Sequence, residues 1–333
     1  MNSGKSKARN YTIDYIKFTC AAFVMIWHSI AQIKGDYGCT FHSWFEAIIS
    51  PIYFCVFIFI LISGYLNHKQ DLKKYYKNKF TKIILPFLFF SSLKIVYTLI
   101  ISNAYAHADS YREMLIDAFI FGNLYWFSYC IFVIFCIAPL LWIWFEKNRA
   151  FSIAAFLLLF GLNIVIELAG WNPKALSVFQ FLTAIQYLPY FVLGIILKLY
   201  KKEIDSIRNK CPKLLLLAGS VAVYILGYYL KERLGLPLRY PLTFVQVVAT
   251  FAFLIVVFGY FRPNQYIVKL SSYSYQFMLI DSFTRVVILA VIDKLFSVSV
   301  YWMFPQVLFS VIACYLICEI SSRFKITRFL LGI

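Results

Sequence analysis

The chain has 333 residues, of which 62% are hydrophobic, 20% aromatic and only 14% charged, and its formal net charge is +17. A soluble domain carries about a quarter charged residues, so this composition excludes a water-soluble globular protein. A charge of this sign would point to nucleic acid in a soluble chain. Here the basic residues stand in loops between apolar stretches, which is a membrane-topology signal, and no nucleic-acid partner is expected.

In chain order, apolar spans are predicted at roughly 13–33, 45–66, 83–103, 124–145, 151–169, 179–198, 214–230, 241–261, 272–292 and 299–321. Each is long enough to cross about 30 Å of hydrocarbon at about 1.5 Å per residue. The first follows a basic start at Lys5, Lys7 and Arg9, as a signal peptide would, but it carries Asp14, Lys17 and His28. No small-x-small cleavage site follows, so it reads as a retained span. With the N-terminus inside, the inner segments carry 22 Lys and Arg and the outer ones 7. That asymmetry places both termini in the cytoplasm. The expected fold is all-α: a polytopic membrane protein of about ten transmembrane helices, with one domain over residues 1–333 and no separate soluble domain. The eight cysteines have no metal or redox spacing, so neither a metal site nor a structural disulfide is expected.

Charge inside a bilayer is costly unless paired or hydrated, which makes each such residue a functional candidate. At about 100° per residue, Asp14, Lys17 and His28 fall on one stripe of the first span. Lys17 lies near the cytoplasmic mouth and His28 about 16 Å deeper. A histidine in a dry interior favours its neutral form and keeps one ring nitrogen free to take a proton, which suits a general base or a nucleophile. A lysine at the mouth suits an anionic ligand. The alternative for His28 is a packing histidine hydrogen-bonded between helices.

Asp281 and Arg285 in the ninth span are four apart and can pair on one helix face. They are either a self-neutralising pair or, if the ninth span packs on the first, a means of holding the His28 ring through Asp281. Glu319, near the cytoplasmic end of the last span, is placed to meet Lys17 or a basic loop residue. Glu167 and Lys94 read as snorkelling or locally paired. Lys79 and Lys82, three apart before the third span, are expected to share a helix face at the cytoplasmic interface. There they meet either phosphates or lipid headgroups.

Several short patterns occur in order. Arg9, Asp14, Lys17 and His28 fit a basic residue, then Asp-x-x-Arg, then His after ten residues. A Phe-rich span ends Ile62-Ser63-Gly64-Tyr65. Lys79-Phe-Thr-Lys82 is followed by Pro86 and Phe87. Leu124-Tyr125-Trp126-Phe127 opens the fourth span. Tyr187 to Gly194 reads Tyr-x-x-x-Phe-x-x-Gly, and Ser274-Tyr275 leads through apolar residues to Asp281. Together, over nearly the whole chain, these resemble membrane acyltransferase family 3, multi-pass acyltransferases that modify sugars and other acceptors. Three arginines of that pattern are lysines here, which keep the charge but lose the planar fork, and its late histidine is Asp281.

The resemblance implies a membrane O-acetyltransferase, with no bound cofactor. Acetyl-CoA, or another acyl-CoA, is the donor, and a sugar hydroxyl of a cell-surface polysaccharide or its lipid-linked precursor is the acceptor. It implies a multi-pass location in the cytoplasmic membrane of a bacterium, in contact with membrane lipid. His28, Asp14 and Asp281 are the expected catalytic residues. Lys17, Lys79, Lys82, Ser63, Tyr125, Trp126 and Arg285 are the expected acyl-CoA and substrate contacts. Ser63 also reads as a small residue easing helix packing, and Tyr125 and Trp126 as interfacial anchors. The competing class is a transporter or flippase for an anionic or glycolipid substrate, which would more often show internal repeats and broken helices at matching positions. A third reading is a scaffold subunit of a polysaccharide assembly, which has no need of a buried histidine aligned with charges.

Overall fold

The computed structural model describes residues 9–40, 49–68, 70–101, 108–171, 177–234 and 238–333. Lys5, Lys7, Lys69 and the beginning of the second predicted span lie outside the described residues. Among those described, nine helices are long and apolar enough to cross a membrane, and each coincides with a predicted span. The remaining predicted span, 45–66, is represented by the shorter apolar helix Ser50–Leu66.

The longest helix, α1 (Tyr11–Tyr37), closes at Gly38, whose φ of 63° supplies the left-handed turn that lets its N–H reach the Lys34 carbonyl. A 3₁₀ turn at Ser50–Phe54 leads into α2 (Cys55–Leu66). The polar α3 (Leu72–Lys79) is capped by Asp71, which accepts from the Lys74 N–H. It runs through a π-helical turn, Phe80–Ile84, into α4 (Leu85–Ile101). Then come α5 (Ala108–Ile116), α6 (Trp126–Lys147), α7 (Arg149–Leu168), α8 (Phe181–Leu199), α9 (Lys201–Lys210) and α10 (Lys213–Leu234). The chain ends through α11 (Arg239–Phe258), α12 (Gln265–Ser272), α13 (Ser274–Leu295), α14 (Met303–Arg323) and α15 (Lys325–Leu330).

The organising element is α1, which packs against α2, α11, α12, α13 and α14. It also contributes to three separate apolar clusters. Ile16 and Cys20 pack with α2, α6 and α8; Met25 packs with α4, α13 and α14; Ile30 and Ile33 pack with Leu289 and Met303. A helix surrounded on most sides must be apolar nearly all round, so any polar group on it has to find its partner within the bundle. By contrast, α7 and α10 turn large apolar side chains outward: Leu157, Leu158, Leu214 and Leu215 are all exposed. Lipid tails are as apolar as leucine, so this exposure carries no penalty in a bilayer.

The π turn before α4 ties the basic Lys79–Lys82 segment to the rest of the bundle. Pro86 has no N–H to return to the preceding turn, and a widened turn leaves carbonyls there looking for donors. The Tyr275 hydroxyl on α13 donates to the Ile83 carbonyl (2.9 Å) and also meets Ser128 Oγ on α6 (2.9 Å).

Candidate active site

A polar cluster lies within the bundle where α1 meets α13. His28 Nδ1 is 3.3 Å from Asp281 Oδ2, and Arg285 Nε donates to the same oxygen at 3.2 Å. The spacing explains the geometry: residues 281 and 285 are one turn apart on α13, so both side chains reach the same point on α1. The Asp281 side chain is 1% exposed and that of Arg285 14%, whereas the His28 ring is 40% exposed. A carboxylate only accepts, so Nδ1 must carry the proton in this contact. That leaves Nε2 as the ring nitrogen able to accept a proton or bond to carbon. Asp281 Oδ1 is buried with no hydrogen-bond partner among the described residues.

A second ring of polar groups holds this cluster in place. Arg285 Nη1 donates to the His28 carbonyl (2.9 Å) and to Gln32 Oε1 (3.1 Å). Gln306 Nε2 on α14 donates to the Arg285 carbonyl (3.1 Å) and to Gln32 Oε1 (3.4 Å), and Ser29 Oγ donates to Gln306 Oε1. The Tyr125 hydroxyl, at the start of α6, donates to the Leu279 carbonyl (3.1 Å) and bonds Ser282 Oγ (2.7 Å), next in sequence to Asp281. Ser29, Gln32 and Gln306 were not anticipated from sequence. Gln32 was readable in principle, because it stands one turn after His28 on the same face. Gln306 was not, because only the packing of α14 on α1 brings it there.

Of the other anticipated residues, Asp14 stands apart from His28, fourteen positions earlier on α1. It accepts from Arg9 through both oxygens (2.6 and 3.1 Å) and from Ser271 Oγ (2.9 Å) at the end of α12. These bonds tie the N-terminal end of α1 to Arg9 and α12, with Lys17 half-buried within electrostatic reach of both Asp14 and Arg9. Ser63 Oγ donates one turn back to the Phe59 carbonyl (2.8 Å), within its own helix. Trp126 turns away from Tyr125 and packs near Tyr187 (ring centroids 5.6 Å).

Lys79 and Lys82 lie within electrostatic reach of each other, with Lys82 inside the π turn, but their surroundings differ. Lys79 Nζ lies over the Phe135 ring at 3.6 Å, whereas Lys82 is exposed. Glu319 pairs with Lys269 of α12 (2.7 Å), and this carboxylate raises the Lys269 ammonium above its ordinary range. Lys94 lies against the rings of Tyr97 and Phe283, close to Arg285. Glu167 is half-buried; its Oε2 is buried and has no hydrogen-bond partner among the described residues.

Chemically, the cluster is an oriented imidazole backed by a carboxylate whose charge a guanidinium balances. Asp281 and Arg285 cancel, so a proton gained by His28 leaves one net positive charge, with Lys94 nearby. An anionic intermediate or leaving group at His28 Nε2 would offset that charge. A family model described as an acyltransferase domain, that of acyltransferase family 3, matches residues 10–321. No curated protein matches the chain, and no solved structure does.

Proposed function

Because the chain belongs to acyltransferase family 3, we propose that this membrane acyltransferase is an O-acetyltransferase. It moves an acetyl group from acyl-CoA to a sugar hydroxyl in a cell-surface polysaccharide or its lipid-linked precursor. The observation that carries this reading is the contact of His28 Nδ1 with Asp281 Oδ2 at 3.3 Å, which aims Nε2 outward as a base or nucleophile.

As a base, Nε2 takes the proton of the acceptor hydroxyl while its oxygen attacks the thioester carbonyl. The C–S bond breaks, and the departing thiolate recovers the proton from the imidazolium. As a carrier, Nε2 attacks the thioester first and CoA leaves as its thiolate; the acceptor oxygen then attacks the acetyl carbonyl, the N–C bond breaks to restore the neutral imidazole, and the hydroxyl proton passes to the thiolate. Asp281 serves both routes by fixing the tautomer and stabilising the cationic ring.

In this proposal both termini face the cytoplasm of a bacterium. The phosphates of CoA are held near Lys82, Lys79 and Lys17 on that side, with Tyr125 and Trp126 lining the path inward. The test is a mass comparison of surface polysaccharide from cells with the protein, without it, and with His28→Ala. Loss of acetyl-sized mass in both defective strains supports the reading. Unchanged acetylation with His28→Ala overturns the catalytic assignment, and loss of the whole polymer points to export instead.

A further inference from the structure

A second polar site lies where α7, α8 and α11 meet. Asn10, just before α1, Lys201, just after α8, and Gly259, just after α11, line a common cleft. The N-terminal end of α1 therefore shares one end of the molecule with the C-terminal ends of α8 and α11. Where α8 and α11 begin, at the opposite end, a cavity of about 650 Å³ opens between them and the end of α7. That volume falls within the range of small-molecule sites, about 300–1,000 Å³.

The lining is unusual for a membrane interior. Asn163 and Tyr190 are 2% and 0% exposed, and Asn163 Oδ1, Tyr190 Oη and Glu167 Oε2 are buried without a hydrogen-bond partner among the described residues. The Glu167 carboxylate lies within electrostatic reach of both Tyr190 and Tyr240. Each polar atom left without a partner costs about 1–3 kcal/mol. Three of them beside one cavity are therefore explained best by an occupant that supplies the missing partners.

The rim is strained as well. Phe179 and Gln180 both have positive φ (50° and 58°), a conformation costly for side chains other than glycine. Gln180 is held there by its donation to the Phe121 carbonyl (2.6 Å) and by the Thr183 hydroxyl, which donates to it (2.7 Å).

We infer that this cavity binds a sugar ring through its hydroxyls. Two unpartnered acceptors, a carboxylate and an amide oxygen, call for an occupant with several O–H donors. The Tyr190 hydroxyl calls for one that can also accept. Aromatic walls from Tyr187 and Tyr240 suit the C–H faces of a pyranose. Arg239 also lines the cavity, which disfavours a purely cationic occupant.

The cavity is joined to the His28 cluster through adjacent residues. Tyr187 packs near Trp126, while Tyr125 bonds Ser282 beside Asp281. That the bound sugar is the acetyl acceptor rests on the function proposed above; that the cavity binds a glycan does not.

The experiment uses the full chain in lipid nanodiscs. The probe is oligosaccharide cut from the surface polymer of the producing cells and freed of ester groups by mild base. Calorimetry is expected to show saturable binding, weakened about tenfold or more by Glu167→Gln and by Tyr190→Phe and unchanged by Leu214→Ala, an exposed position on α10 away from the cavity. The Tyr190 hydroxyl has no hydrogen-bond partner among the described residues, so Tyr190→Phe is expected to leave the melting temperature unchanged or raise it, whereas loss of a structural bond would lower it.

Absence of saturable binding, or equal affinity in wild type and both cavity variants, overturns the inference. Polysaccharide acetylation that depends on His28 while the cavity variants bind normally sinks the cavity alone. Binding that depends on Glu167 in a protein that acetylates nothing sinks the proposed function alone.

Discussion

Gly64 on α2 and Gly194 on α8 face each other across a close crossing of two helices. The Phe191 carbonyl occupies the space where a Cβ at position 64 would stand, and the Leu61 carbonyl does the same at position 194. Both obstacles are backbone, which cannot swing aside as a side chain can. The small residues of two short patterns noticed in sequence, one ending at Tyr65 and the other at Gly194, thus serve one crossing. Close helix approach through small residues is a common packing device in membranes.

Gly194→Ala is therefore expected to force the helices apart and cost about 1–3 kcal/mol. The measurement is the melting temperature of the purified protein in detergent. Gly161→Ala is the control, because a Cβ there meets nothing within 4 Å. It is expected to be neutral or stabilising by up to about 1 kcal/mol. Equal destabilisation by both changes would refute the crossing as the cause.

Asp281→Asn is the sharpest test of the His28 cluster. Asparagine keeps the size of the side chain but removes the charge and lets the ring settle in the other tautomer. Transfer is expected to fall about 10²–10⁴-fold. Asp281→Ala is the wrong variant for this purpose. Both changes remove the charge facing Arg285, 14% exposed, but asparagine keeps an oxygen to accept from the guanidinium, whereas alanine leaves a cavity and an unpartnered cation, and breaking a buried pair in that way costs about 3–5 kcal/mol. Rates of acetyl transfer in vesicles, with folding checked by thermal melt, settle the point; near-wild-type rates for Asp281→Asn would remove Asp281 from the mechanism.

How much of this was legible beforehand depended on the range of each interaction. The membrane-crossing helices were legible because each is declared by some twenty consecutive apolar residues. His28, Asp281 and Arg285 were legible as misplaced polar groups, and the pairing of 281 with 285 followed from helix geometry. The relation of Asp14 to His28 was less so. A shared stripe says that two residues face the same way, but at about 1.5 Å per residue fourteen positions separate them by about 21 Å. The Arg9 and Ser271 partners of Asp14 come from outside α1. Likewise the cavity around Glu167 depends on how α7, α8 and α11 come together, which the pattern of no one of them announces.

Tyr125→Phe probes the link between α6 and α13. The ring packs with Phe87 (centroids 6.4 Å) and would stay in place, while the bonds to Ser282 and the Leu279 carbonyl would be lost. A neutral hydrogen bond contributes about 0.5–1.5 kcal/mol net, so the melting temperature should fall modestly. Transfer should fall further than stability does if Tyr125 fixes the α13 backbone beside Asp281. An activity loss fully accounted for by the unfolded fraction would reduce Tyr125 to a packing residue.

Lys82 and Lys79 are expected to part company in kinetics. Lys82 is exposed within the π turn, whereas Lys79 rests over Phe135 at 3.6 Å. An exposed ammonium that meets the phosphates of the donor contributes to binding the ground state and the transition state alike. Lys82→Ala should then raise KM for acyl-CoA several-fold with kcat nearly unchanged. The same variant should also lose part of the dependence of KM on ionic strength, because one screened charge has gone. Lys79→Ala removes a cation held against an aromatic ring, worth about 0.5–2 kcal/mol, so its first effect should be on the melting temperature. Steady-state kinetics at two salt concentrations distinguish these outcomes. A KM for acyl-CoA that does not move in Lys82→Ala would place the donor phosphates elsewhere on the basic surface.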